Sequence, residues 1–186
     1  MHGTPLFRSS RFYGMVSVMA YVFAYFRQVY DGVVDVTADG AVVVHPTRVE
    51  TVRAESLHLA WSEDGLHWTA LNGNASVRPE MWLRDPFVGR GPNGVFHLLA
   101  TGGGNRFSFR YASSRNLVDW DEVSAVPVMA EVPGTMSVWA PEWVWDAAEG
   151  SYFVYWSSSH GEHGWDDSRI WCARTTWAAC CALTIC

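Results

Sequence analysis

The stretch Trp82-Leu83-Arg84-Asp85-Pro86-Phe87-Val88 decides how the rest of the chain reads. It sets a carboxylate between an Arg and a Pro, at the mouth of an apolar run. Proline fixes its own φ and biases the residue before it toward extended backbone. Asp85 is therefore expected on a stiff, extended strand entrance. Trp139-Ala140-Pro141-Glu142-Trp143 repeats the arrangement with a Glu. Two carboxylates presented in this way read as a working pair.

Working outward, short β-branched and aromatic runs alternate with turn residues, which predicts strands. The runs are Tyr21 to Phe26, Leu57 to Ser62, Leu83 to Val88, Val95 to Thr101, Phe107 to Ala112, Trp139 to Trp145, Tyr152 to Ser157 and Arg169 to Ala173. Residues 31–55 are Val-rich, with Asp31-Gly32 and Asp39-Gly40 as hairpin-turn signals. No amphipathic helix stands out. An internal repeat does. Leu59 to Trp68 aligns with Tyr111 to Trp120, an offset of 120 − 68 = 52 residues, and Asp85 to Glu142 spans 142 − 85 = 57. Units of about 50 residues with about four strands each describe propeller blades. The predicted fold is all-β, an incomplete propeller of three four-stranded blades at 11–71, 83–123 and 139–177. A closed propeller needs at least four blades, so the missing ones are assigned to a longer natural chain.

The 186 residues suffice for one domain with a sizeable core, and the net charge of −6 argues against nucleic acid as a partner. Eleven Trp, seven Tyr and nine Phe are the unusual feature. Aromatics favour strands, and their flat faces also suit stacking on sugar rings. Cys172, Cys180, Cys181 and Cys186 all fall in the last 15 residues, without metal-ligand spacing. Neither a zinc site nor a disulfide framework is expected, and no cofactor is implied. Arg8 and Arg11 precede the apolar run Gly14 to Phe26, which fits a signal-peptide core or a strand. No small-residue cleavage pattern follows, so the strand reading is preferred and the compartment stays open. The run is too short for a typical membrane span. Residues 178–186 lack charge and turn residues, abandon the repeat and read as a non-native end.

The ordered set Ala60 to Trp68, Trp82 to Val88, Ser114 to Trp120 and Trp139 to Trp143 resembles glycoside hydrolase family 43. The resemblance covers about residues 20–175. It implies a five-bladed propeller that hydrolyses arabinofuranosides, xylosides or galactans with inversion, taking a carbohydrate as its partner. It also implies three carboxylates from successive blades. Asp85 matches the Asp that positions substrate, and Glu142 the general acid. Trp82, Arg84, Trp139, Trp143 and Trp156 become expected substrate contacts. The first blade shows no carboxylate before Asp31, so the base is missing there; in another register Asp85 takes that role. Such chemistry needs one protonated and one ionised carboxyl, roughly 6.5–9.5 Å apart when configuration inverts. Trp139 and Trp143 are expected to surround Glu142 and favour its protonated form.

Other readings compete. Asp85 can serve as a turn cap, and Glu142 as an ion-pair partner of Arg84. Asp64, Asp119 and Asp121 read as turn and surface residues, and His58, His67 and His97 as packing or solvent-facing. A β-fructosidase-like retaining enzyme carries a similar Arg-Asp-Pro, but needs an Asn-Asp-Pro that this chain lacks. A sugar-binding or degenerate propeller fragment without catalysis is the third possibility; the missing base and the missing blades favour it for this chain, which is expected to be inactive as a fragment.

Overall fold

The computed structural model describes residues 20–28, 32–46, 48–103, 106–161, 167–177 and 184–185. The expectations placed on residues 1–19, on Asp31 and on most of the tail, including Cys180, Cys181 and Cys186, lie outside these. In chain order come β1 (Tyr21–Tyr25), β2 (Gly32–Val36), β3 (Val42–Pro46), α1 (Arg48–Ala54), β4 (His58–Ser62) and β5 (Thr69–Ala70). Then follow β6 (Arg84–Arg90), β7 (Phe96–Thr101), β8 (Phe109–Ser114), β9 (Ser124–Val126), β10 (Trp139–Asp146), β11 (Ser151–Ser159), β12 (Ser168–Thr175) and β13 (Thr184–Ile185).

These strands make three small antiparallel sheets of order β1-β4-β5, β6-β7-β8-β9 and β10-β11-β12-β13, with β2-β3 as a separate hairpin. The second and third sheets have four strands each, over residues 84–126 and 139–185. The first departs from the expected four strands, since three are seen among the described residues. The hairpin β2-β3 and the short helix α1 stand between β1 and β4. Helix α1 was not foreseen, because Arg48-Val49-Glu50-Thr51-Val52-Arg53-Ala54 is β-branched and only two turns long. The expected Asp39-Gly40 turn is present, with φ +83° at Gly40. At the other end, residues 184–185 pair with β12 and so belong to the third sheet rather than outside it.

The second sheet is the middle layer. Leu98, Ala100 and Ala112 of its one face pack with Leu59 of the first sheet and with Leu57 just before it. Leu99, Phe109 and Tyr111 of its other face pack with Trp143, Val154 and Trp156 of the third. Strand side chains alternate between faces, so His97-Leu98-Leu99-Ala100 reads as an unbroken apolar run because both faces are covered. Trp143 closes the second contact by donating its indole N–H to the His97 carbonyl at 3.2 Å. Its ring lies so near Gly89 that a Cβ there would sit 2.6 Å away.

The 52-residue repeat is exact at the level of hydrogen bonds. Ser62 Oγ accepts the Gly65 amide at 2.9 Å, and Asp64 Oδ1 accepts the Leu66 and His67 amides at 2.8 Å each. Ser114 Oγ accepts the Leu117 amide at 2.9 Å, and Asn116 Oδ1 accepts those of Val118 and Asp119 at 2.9 and 2.8 Å. Ser and Asx side chains favour such turns because their short oxygens reach the next amides. The His67 amide, the His67 ring, the Leu66 amide and the Ser62 hydroxyl together hold Asp64 well below the usual carboxylate range, as befits a turn residue.

His97 is 3% exposed. Its ring nitrogens lie 3.0 Å from the Tyr111 hydroxyl and 3.1 Å from the Tyr152 hydroxyl. Burial lowers its pKa to about 4. The unfolded chain therefore takes up a proton near pH 6.5 that the folded chain refuses until about pH 4. Stability is full above pH 7 and falls as the pH drops through that window. Urea unfolding is expected to show a loss of about 2 kcal/mol between pH 7 and pH 5 from this group, and a flatter profile in His97→Gln. An unchanged slope in the variant would remove His97 as the source.

Candidate active site

The two proline stretches are built alike, but not in the register their carboxylates suggest. In β6, Arg84 pairs with Thr101 and Phe87 with Leu99, with one extra residue between. In β10, Trp139 pairs with Ser157 and Glu142 with Tyr155, again with one extra residue. Proline cannot donate to the ladder, so a bulge is where a strand tolerates it. The structural offset is 139 − 84 = 55. Ala140 is thus the counterpart of Asp85, and Phe87 the counterpart of Glu142. Asp85 and Ala140 have φ of 47° and 45°. This corrects the expectation of an extended Asp85: the bulge turns the backbone into the left-handed region in both strands.

The bulge leaves the Ala140 amide free of its own ladder, and that amide donates to Thr101 Oγ1 at 2.8 Å. The Thr101 hydroxyl in turn donates to Asp85 Oδ2 at 2.8 Å. A side-chain bridge therefore runs from the third sheet through Thr101 to Asp85. Asp85 itself is exposed, and Oδ1 has no partner among the described residues. A cleft of about 430 Å³ opens beside the bridge, lined among others by Gly102, Phe107, Ser137 and Trp139.

Glu142 is half-buried and accepts the Tyr155 hydroxyl at 2.6 Å on Oε2. That bond raises the Tyr155 pKa. Trp143 points into the contact with the second sheet, so alternation along β10 turns Glu142 to the opposite face. The structure does not join Asp85 and Glu142 by any hydrogen bond among the described residues. It does not place Trp143 around Glu142 either, because the two neighbours face opposite ways.

Arg84 binds Glu55, not Glu142. Its Nε and Nη2 lie 2.6 and 2.5 Å from Glu55 Oε2, and the Glu55 side chain is 11% exposed. Trp156 is 0% and Trp143 7% exposed. Both are core residues whose rings are covered, which corrects their expected part in substrate binding. Trp139 is 44% exposed and borders the cleft. Trp82 is half-buried, its ring packed over Gly103, where a Cβ would not fit. Sequence reasoning missed Glu55 and Thr101. Glu55 hides in a Val-rich segment without a motif, and Thr101 reads as the last residue of an apolar strand.

Among the described residues no cluster of three or more His, Cys, Asp or Glu forms that would hold a metal ion. Nor is any helix among them long and apolar enough to cross a membrane.

A family model described as "Probable glycosyl hydrolase domain", related to glycoside hydrolase family 43, matches residues 37–180. The chain belongs to this family. No curated protein matches it. Among solved structures, an exo-β-1,3-galactanase from Clostridium thermocellum is similar at 17% identity and a TM-score of 0.48. The match covers 82% of this chain and 32% of that one, so the chain spans about a third of that protein's length.

Removing Arg84 strands a nearly buried carboxylate. Arg84→Leu is expected to cost about 1–3 kcal/mol, and Glu55→Leu on top of it to recover part of the loss. Chemical denaturation of the two variants checks this. Additive losses would show that Glu55 does not need the guanidinium.

Proposed function

We propose that this glycosyl hydrolase domain acts on arabinose- or xylose-containing glycans with inversion, using Asp85 as an ionised carboxylate and Glu142 as general acid. The observation that supports it is the setting of Asp85. Its bulge position is shared with Ala140, so the backbone strain there belongs to the fold and not to the carboxylate. What distinguishes the second sheet is that this position carries an acid, with one oxygen held by Thr101 and the other open to solvent. The Thr101 hydroxyl fixes the direction of the carboxylate, which suits a group that orders water or balances a developing positive charge. Glu142 accepts the Tyr155 hydroxyl on Oε2, which fixes its carboxyl and leaves Oε1 without a hydrogen bond among the described residues. Trp139 at the cleft edge offers a flat face for a sugar ring, and no metal or cofactor is required.

A second reading is a sugar-binding sheet stack without catalysis. Its support is the orientation of Glu142, on the face of β10 turned away from the second sheet.

The test is hydrolysis of natural and aryl arabinofuranosides and xylosides, with the product anomer followed by proton NMR. Inverted product is expected. Glu142→Gln is expected to lose about 10²–10⁴-fold on natural substrates and much less on aryl glycosides, whose leaving groups need little protonation. Asp85→Asn should slow both. Binding without turnover would support the second reading, and a retained anomer would support the fructosidase-like chemistry.

A further inference from the structure

We infer that Thr101 is a positioning residue for Asp85, tying the orientation of that carboxylate to the backbone of the neighbouring sheet. The inference rests on the reading of Asp85 as a catalytic carboxylate.

The direction of the bridge follows from chemistry alone. A backbone N–H only donates, so the Ala140 amide uses a lone pair of Thr101 Oγ1. A hydroxyl has one proton, and the Asp85 oxygen is the acceptor left for it. The chain of donation therefore runs one way, from Ala140 N–H to Thr101 O–H to Asp85 Oδ2. Thr101 is 5% exposed, so water does not compete readily for its hydroxyl. Its β-branched side chain also has restricted χ1 freedom, which limits where Oγ1 can point. The carboxylate is thus held at one oxygen while the other faces the open side.

The third sheet provides an internal comparison. Ser157 pairs with Trp139 as Thr101 pairs with Arg84, and Ala140 stands where Asp85 would. There the hydroxyl position is kept and the carboxylate is not, and no side-chain hydrogen bond of Ser157 is found among the described residues. The bridged arrangement is confined to the one bulge that carries an acid. It also links two sheets, since the amide at its far end belongs to the strand after the cleft. A shift of the third sheet against the second would therefore move Asp85.

The experiment compares wild type, Thr101→Ser, Thr101→Val, Asp85→Asn and the Thr101→Val/Asp85→Asn double variant in the full chain. Steady-state kinetics on aryl arabinofuranosides and xylosides is read beside hydrogen exchange of the Ala140 amide. Thr101→Val keeps shape and removes the hydroxyl. It is expected to lower kcat about 10- to 100-fold, to leave KM within about twofold, and to speed Ala140 exchange. Thr101→Ser should restore both, which separates the hydroxyl from any general loss of folding. In the Asp85→Asn background, Thr101→Val should add little, because the two act as one unit. Full activity in Thr101→Val, or an independent loss in the double variant, would overturn the positioning role while leaving the glycosidase reading intact. A wild-type chain that folds, shows the exchange pattern and hydrolyses none of the substrates would overturn the glycosidase reading, and the positioning role of Thr101 with it.

Discussion

The structure depends on a proline that cannot take part in its own strand. Pro86 and Pro141 each lack an N–H and each sit one residue after an extra, bulged position. The bulge puts a non-glycine residue at positive φ and releases a backbone amide from the ladder. A released amide pairs with another acceptor where one lies within reach. For Ala140 that acceptor is Thr101 of the neighbouring sheet. One local constraint therefore produces a cross-sheet tie and sets the direction of the Asp85 carboxylate.

The rest of the fold serves that junction. The second sheet is covered on both faces, so β6 and β7 have little freedom to shift. Trp143, His97, Tyr111 and Tyr152 interlock across its contact with the third sheet, with ring centroids 5.0–6.0 Å apart for the pairs involving His97. On the other face, the Glu55–Arg84 ion pair and the Leu83 amide, bonded to the Glu55 carbonyl at 2.8 Å, fasten the start of β6 to the segment that leads into β4. Asp85 thus follows directly after a residue pinned from one side and is itself tied from the other. The site is rigid because its two neighbours are anchored, not because the acid is buried.

Much of this was legible in the sequence. Alternating apolar runs and the Ser-x-Asx turns at Ser62 and Ser114 carried the sheets and the repeat, because those patterns are local. The two Pro stretches open the first strands of the second and third sheets. Their register did not survive, since counting from carboxylate to carboxylate overlooked that Asp85 precedes Pro86 whereas Glu142 follows Pro141. Aligning the prolines gives 141 − 86 = 55, and the cross-strand pairing agrees that Ala140 is the counterpart of Asp85. The Trp residues were ambiguous because Trp156 and Trp139 look alike in sequence, and only their packing separates core from cleft. Glu55 and Thr101 could not be read at all, because their partners are 29 and 16 residues away and no short motif joins them.

The account stands on the positive φ at the bulge, and Ala140 allows it to be measured without touching the acid. An L-residue in left-handed backbone is strained by roughly 1–2 kcal/mol, a strain glycine does not feel. Glycine in extended strand, by contrast, costs about 0.5–1 kcal/mol through chain entropy. Equilibrium unfolding of Ala140→Gly therefore reports the backbone directly. A gain in stability of about 0.5–1 kcal/mol is expected, and a loss of that size would contradict the bulge on which the Asp85 site is built.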